Sequence, residues 1–249
     1  MSLGEAAGLV LAGLLGGALN AVAGGGSLVT FPALLATGLP PVTANATNTF
    51  SALPGYLASL WAYRRELARH RALVGRTVAL SAAGGLAGAA LLLVLPAEAF
   101  RALIPWLLLA ATLLFGLGPR LTRALKGRTG PEAVHDGALL AVASYGGFFN
   151  AGLGILVLGA LSLRGLSDVN EMNALKMLVS SAVAIAAALL FLGGGVLAFA
   201  PGLAVVAGTV IGGFLAARLA RRLPQGALRA GILAYAAGLT AYWFWRVAG

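Results

Sequence analysis

The sequence predicts an all-α integral membrane protein made of two repeats with inverted topology. Three observations lead to this prediction: a low content of charged residues, several long stretches without charge, and a pattern of glycine and asparagine that recurs 128 residues further along the chain. Each repeat should contain a broken or re-entrant helix pair that carries glycines, followed by three transmembrane helices.

The charge content indicates that lipid surrounds most of this chain. Only 10% of the 249 residues are charged, whereas a soluble domain has about 25%, and the mean hydropathy is +0.94. The stretches without Asp, Glu, Lys or Arg cover residues 6–63, 77–97, 102–119, 137–163, 177–217 and 230–245. Each can hold at least one helix that crosses a bilayer, and the first and fifth can hold two. The alternating pattern of a membrane β-barrel is absent from the sequence, so we assign the segments as helices.

The rest of the composition argues against several classes of protein. The formal net charge is +10, but the basic residues lie in short connectors, so they indicate membrane topology and no nucleic-acid partner. The chain has no cysteine, and we place its two histidines, His70 and His135, in connectors. We therefore predict no metal, no cofactor and no catalytic residue. The sequence also lacks a nucleotide-binding motif that could power a pump.

Two motifs recur with the same offset of 128 residues. Ala23-Gly24-Gly25-Gly26 corresponds to Ala151-Gly152-Leu153-Gly154, and Asn45-Ala46-Thr47-Asn48 corresponds to Asn173-Ala174-Leu175-Lys176. This recurrence predicts an internal duplication with a first membrane repeat over residues 1–125 and a second over 126–249, in a single membrane domain. Other glycines predict close packing between helices. They are Gly84, Gly85, Gly88, Gly208, Gly212 and Gly213.

The basic connectors predict how the repeats are oriented. If the clusters within 64–76, 120–128 and 218–229 are cytoplasmic together with Arg164, the region 135–163 begins and ends on the same side of the membrane. That region should then be a re-entrant pair of half-helices. Because of the duplication, we expect residues 4–37 to form a re-entrant pair as well. Each half then has three further crossings, and this odd number inverts the second half relative to the first. A rival topology with eight simple crossings gives parallel halves, and it places some basic residues on the wrong side.

The two glycine clusters and the asparagine motifs are the candidates for a substrate site. A helix broken in mid-membrane presents backbone N–H groups at the start of the next half-helix, near Ser27 and Leu28 in the first half and near Ile155 in the second, and these attract anions. Amide side chains and an ammonium group inside apolar segments should point to a cavity or a partner helix. The predicted binding residues are Gly24, Gly25, Gly26, Ser27, Asn45, Asn48, Asn150, Gly152, Gly154, Asn173 and Lys176. Two alternatives stay open: the asparagines join helices, and Lys176 reaches an interface or pairs with Glu171.

These motifs carry a resemblance to a known family. The run over residues 20–32, continued by 45–48, resembles the first-half signature of the sulfite exporter TauE/SafE family, and residues 146–154 with 173–176 resemble its second-half signature. The resemblance implies a permease for small anions that contain sulfur, such as sulfite, thiosulfate, sulfonates or sulfoacetate, or for other organic anions. It also implies a bacterial or archaeal cell membrane. Asn150 stands where the family usually has a glycine, which could alter the substrate.

The sequence therefore predicts a secondary transporter of small anions in the inner (plasma) membrane, with a midplane site that opens to either face in turn. Its partners are the anionic substrate and the lipid bilayer; coupling to protons or another ion, and a homodimer, stay open. A passive channel is the main rival. An intramembrane hydrolase that uses Ser27 lacks a base within a membrane span, so we predict that the protein is no enzyme.

Overall fold

The described part of the chain is helical, as predicted. The structure is a computed structural model that describes residues 1–22, 25–125, 131–166, 168–219 and 225–248. These residues form eleven helices: α1 (Leu3–Val22), α2 (Ser27–Ala36), α3 (Pro41–Ala62), α4 (Arg64–Ala68), α5 (Arg71–Val94), α6 (Ala97–Leu125), α7 (Glu132–Phe148), α8 (Leu153–Ser162), α9 (Val169–Gly193), α10 (Phe199–Leu219) and α11 (Gln225–Ala248).

Four helices in the described residues are long and apolar enough to cross a membrane. They are α1 over Leu3–Asn20, α5 over Arg71–Val94, α6 over Ala97–Gly118 and α9 over Asn170–Gly193. The helices α2 and α8 have 10 residues each, about half of the length that a bilayer core requires. The prediction of an all-helical integral membrane protein is therefore confirmed.

The helix α3 is the polar centre of the molecule. It has 22 residues, and its buried polar side chains are Asn45, Thr47, Asn48, Thr49 and Ser51. Polar side chains on a membrane helix are stable when they face protein instead of lipid. For example, the hydroxyl of Thr47 accepts a hydrogen bond of 3.0 Å from the N–H of Ala198, just before α10. The polar residues of α3 thus contact other helices of the protein.

Both glycine-containing segments fold back on themselves. A Cβ added to Gly16 in α1 would lie 2.6 Å from Cγ2 of Thr30 in α2, so α2 returns along α1. In the second pair, Nε2–H of His135 donates to the carbonyl of Leu163, and Arg164 donates to Asp136 at 2.9 Å. The start of α7 therefore lies beside the end of α8. His135 itself lies in α7, because this helix begins at Glu132, directly after Pro131, so its placement in a connector was wrong.

Two pairs of helices, α1 with α10 and α5 with α7, pack closely through the predicted glycines. A Cβ added to Gly212 in α10 would lie 1.9 Å from the carbonyl oxygen of Leu14 in α1, and one added to Gly88 in α5 would lie 1.9 Å from that of Ser144 in α7. Such backbone contacts require glycine. Gly84 and Gly208 make similar contacts, whereas a Cβ on Gly213 would meet only an ordinary contact at 3.7 Å. The close packing of these helices is confirmed for the glycines that face a neighbouring backbone.

The helices α6 and α11 run antiparallel along each other. The rings of Trp106 and Phe244 lie 5.0 Å apart between their centroids, and a Cβ added to Gly116 would lie 3.3 Å from Cδ2 of Leu233. Residues nearer the C-terminus of α6 contact residues nearer the N-terminus of α11, which is the pattern of an antiparallel pair.

Candidate binding site at the two helix breaks

The two helix breaks meet on one turn of α6. A Cβ added to Gly25 would lie 2.8 Å from Cε2 of Phe115, and one added to Gly152 would lie 3.7 Å from Cα of Ala111. Ala111 and Phe115 are four residues apart, about one helical turn. In addition, Phe31 in α2 packs edge to face on Phe149, with ring centroids 5.3 Å apart. Phe31 and Phe149, which are 118 residues apart in the sequence, are thus neighbours at the predicted site.

The first break is closed by hydrogen bonds within its own segment. The N–H of Gly26 donates to Oδ1 of Asn20 at 2.9 Å, and a Cβ on Gly26 would lie 2.3 Å from the carbonyl oxygen of Gly16. Ser27 is buried as the first residue of α2. The N–H of Leu28, which we expected to be free, donates to the carbonyl of Gly25 at 3.0 Å. That expectation was wrong, because the first turn of α2 tightens and uses this donor itself. Gly24 lies outside the described residues.

Thr30 connects the first break to α3. Its hydroxyl oxygen lies 2.5 Å from Oδ1 of Asn48 and 3.2 Å from the carbonyl oxygen of Gly26. Asn48 and Thr30 are both buried, so this contact orients the Asn48 amide at the break. Sequence reasoning missed Thr30, since a single threonine in an apolar membrane helix usually donates to its own backbone and does not stand out.

The second break depends on a left-handed glycine. Gly152 has φ +84° at the start of α8, a conformation that residues with a Cβ rarely adopt. The hydroxyl of Tyr145 donates to the carbonyl of Ala151 at 2.7 Å. Here too an expected free donor is absent, since the N–H of Ile155 donates to the carbonyl of Gly152 at 3.0 Å.

The helix α3 contacts the second break at two points. Nδ2 of Asn45 donates to the carbonyl of Phe148 at 2.8 Å, and the hydroxyl of Tyr56 donates to Oδ1 of Asn150 at 3.1 Å. Tyr56 is a second residue that sequence reasoning missed. It lies eleven residues after Asn45, about three turns, so both side chains project from one face of α3.

Two buried amide atoms at this break lack a hydrogen-bond partner among the described residues: Oδ1 of Asn45 and Nδ2 of Asn150. The two side chains belong to residues that are 0% and 2% exposed. A buried polar atom without a partner destabilises a fold by about 1–3 kcal/mol. Such atoms are rare in native proteins, and an ordered water, an ion or a ligand can supply the missing partner.

Lys176 lies against the start of α8. A Cβ added to Gly154 would lie 3.4 Å from Cδ of Lys176, and Nζ of Lys176 donates to Oδ1 of Asn173 at 2.9 Å. Glu171, the expected alternative partner, lies instead 3.0 Å from Nε2 of His70 and 3.7 Å from Nη1 of Arg69. Lys176 is therefore available at the second break, at the position that corresponds to Asn48 at the first.

The chain that carries these two motifs matches a known protein family. Residues 9–243 match the family model described as sulfite exporter TauE/SafE. The chain belongs to the TauE/SafE sulfite exporter family. This membership confirms the resemblance of the two signatures, and it makes the protein a membrane permease.

Curated relatives of this TauE/SafE protein are named as transporters. The probable membrane transporter protein YfcA of Escherichia coli is 29% identical over 237 residues, which cover 94% of this chain and 87% of the relative. A probable membrane transporter protein of Haemophilus influenzae is 30% identical over 215 residues, or 85% of this chain and 83% of the relative. The probable membrane transporter protein ORF9 of Sinorhizobium sp is 31% identical over 159 residues, 63% of this chain and 61% of the relative. No solved structure matches the chain.

Proposed function

We propose that this TauE/SafE protein is a secondary transporter of small anions that contain sulfur, of the sulfite, thiosulfate, sulfonate or sulfoacetate type. The observation that carries the proposal is the meeting of both helix breaks on one turn of α6, with buried amides and Lys176 beside them. A small oxyanion that leaves water needs donors that replace its hydration. Amide N–H groups and an ammonium group can supply them, and hydrogen bonds to charged groups are the stronger ones.

We propose that the two halves form inverted repeats. In support, corresponding helices begin 128 residues apart: α3 and α9 at 41 and 169, α5 and α10 at 71 and 199, and α6 and α11 at 97 and 225. The corresponding helices α6 and α11 run antiparallel. A two-fold axis in the membrane plane would produce such a pair, whereas an axis along the membrane normal would leave corresponding helices parallel.

The same packing supports alternating access. The helices α1, α2 and α10 pack together, α5, α7, α8 and α9 pack together, and α3 lies between the two groups in contact with both α9 and α10. The candidate site lies where these groups meet, along α3, α6 and the two breaks. A small rotation of one group against the other would expose the site to one face and then to the other. The basic connectors favour a cytoplasmic location of the face that carries Arg69, Arg76 and Arg164, in a bacterial inner membrane.

Binding of sulfur oxyanions to purified protein tests this function. We expect sulfite, thiosulfate or sulfoacetate to raise the melting temperature of the detergent-solubilised protein by mass action, and phosphate or chloride to raise it less. Lys176→Met should abolish the shift. The matched control is Arg101→Met, which removes a positive charge from an exposed site on α6 and should retain the shift.

Transport by protein in liposomes separates a carrier from a channel. A carrier should exchange labelled sulfite across the bilayer with saturation, and unlabelled sulfite on the opposite side should accelerate the exchange. Flux that rises without saturation would support a passive channel instead. A melting-temperature shift with organic carboxylates alone would overturn the choice of sulfur anions.

A further inference from the structure

We propose that Tyr56 is a positioning residue that fixes the orientation of the Asn150 amide and thereby sets the selectivity of the site for oxyanions. The inference rests on the proposed function. It is carried by the hydrogen bond of 3.1 Å from the Tyr56 hydroxyl to Oδ1 of Asn150, and by the buried Nδ2 that this bond leaves without a partner among the described residues.

The two ends of an asparagine amide are opposite in chemistry and nearly equal in shape. One end is an acceptor, and the other carries two donors. A rotation by half a turn about the last side-chain bond exchanges them, so a neighbouring group must decide which end faces a ligand. A phenol hydroxyl can donate to one end of the amide or accept from the other; here Tyr56 donates to Oδ1, which leaves Nδ2 of Asn150 as the free end. An oxyanion offers only acceptor atoms, so it needs this orientation.

The free donor lies at a second feature that favours anions. Asn150 is 2% exposed and lies two residues before Gly152, the N-cap of α8. The first turn of a helix carries a partial positive charge. A buried side-chain donor without a partner and a helix N-terminus therefore occur together at this break, close to Lys176, which lies along the first turn of α8.

The Tyr56 contact differs from the other two hydrogen bonds at this break. Asn45 donates to the backbone carbonyl of Phe148, and Tyr145 donates to the backbone carbonyl of Ala151. These two bonds hold the path of the chain. Tyr56 binds a side-chain oxygen, so loss of its hydroxyl leaves the backbone of the break in place and releases only the amide of Asn150.

This difference gives a selectivity readout that a purely structural role would not produce. In Tyr56→Phe, the Asn150 amide can turn its oxygen toward the ligand. Sulfite, which presents acceptors, should then bind about tenfold more weakly, since one oriented hydrogen bond contributes about this factor. Taurine, which carries an ammonium donor beside its sulfonate, should lose less. The ratio of the two dissociation constants should therefore fall.

The test measures sulfite and taurine binding to purified full-length protein in a mutant cycle. The variants are Tyr56→Phe, Asn150→Gly, the double variant, and Tyr145→Phe alone and combined with Asn150→Gly. We expect Tyr56→Phe to weaken sulfite binding in the presence of Asn150 and to have no further effect in Asn150→Gly, because the group that it positions is gone. Tyr145→Phe should have the same effect in both backgrounds, and Asn150→Ala replaces Asn150→Gly if the glycine variant does not fold.

The outcomes separate this inference from the proposed function. Suppose that the wild-type protein binds sulfite. If Tyr56→Phe then leaves sulfite binding unchanged, or weakens it equally with Asn150 and with its replacement, the role of Tyr56 is overturned and the anion site stands. Wild-type protein that binds none of the sulfur anions would overturn both.

Discussion

Thr112 and Thr240 place their hydroxyl oxygens 3.4 Å apart where α6 passes α11. Each hydroxyl donates to a carbonyl of its own helix at 2.7 Å, Thr112 to Leu108 and Thr240 to Ala236. Both the threonines and their acceptors are related by 128 residues, the offset of the glycine and asparagine motifs. This pair therefore lies where a two-fold axis between the proposed repeats would pass.

A cross-link between these positions tests the antiparallel pair. The chain has no cysteine, so Thr112→Cys with Thr240→Cys creates two thiols and no others. We expect a mild oxidant or a short bis-thiol reagent to join them within one chain, because the two helices touch at this point. Gel mobility after proteolysis between the two sites measures the product. Thr112→Cys with Thr209→Cys, on α10, is the control and should remain unlinked; equal cross-linking of both pairs would contradict the contact.

Sidedness of two corresponding positions tests the inverted topology. Arg65 and Gly193 are 128 residues apart, and both are exposed. Arg65 follows α3 and Gly193 is the last residue of α9, the two helices that carry the asparagine motifs. In inverted repeats they lie on opposite sides of the membrane. A membrane-impermeant thiol reagent added to intact cells should label Gly193→Cys and leave Arg65→Cys unlabelled until the cells are opened. Labelling of both from outside, or of neither, is the result expected for parallel halves.

Gly212 should be intolerant of even a methyl group. A Cβ there would lie 1.9 Å from the carbonyl oxygen of Leu14, so Gly212→Ala must force α1 and α10 apart. Overpacking of this kind destabilises a protein by about 1–3 kcal/mol, and we expect a lower melting temperature in detergent. Gly8→Ala on α1 is the matched control, since no atom lies within 4 Å of its added Cβ; it should be neutral or slightly stabilising. An unchanged melting temperature in Gly212→Ala would refute the close approach.

The sequence predicted the parts of this fold that depend on composition and spacing. Low charge predicted the membrane helices, and the spacing of Gly208 and Gly212 predicted a close helix contact, because small residues four apart share one face. The fold-back of residues 135–163 was predicted on the assumption that Arg164 shares a side of the membrane with the other basic connectors. These features are properties of the chain itself and need no knowledge of its neighbours.

The contacts that orient the site were beyond the sequence because they depend on tertiary packing. Nothing in the order of residues indicates that Tyr56 reaches Asn150, 94 residues away. The prediction that the N–H groups of Leu28 and Ile155 are free was wrong for a related reason. Whether a helix begins with a tight turn that uses its own donors is decided by the local backbone geometry, which the glycines permit but do not specify.

An ion-pair cluster holds the α7 and α8 pair to its neighbours, and this gives the last prediction. The carboxylate of Asp136 lies 2.9 Å from Nη2 of Arg164 and also pairs with Arg76 of α5. The side chains of Asp136 and Arg164 are each 15% exposed, so water can replace only part of this pairing. Asp136→Asn should therefore leave Arg164 short of a partner.

We expect Asp136→Asn to destabilise the protein by about 1–3 kcal/mol, less than for a fully buried pair because some solvent reaches the cluster. The melting temperature in detergent at low and high salt measures the effect, which should shrink at high salt as the charges are screened. Glu98→Gln, which removes an exposed carboxylate at the start of α6, serves as the control and should change the melting temperature little. If Asp136→Asn is as stable as Glu98→Gln, then the cluster does not anchor the start of α7 to the end of α8, and the glycine-containing pair must be held by its apolar packing against α5 and α9 alone.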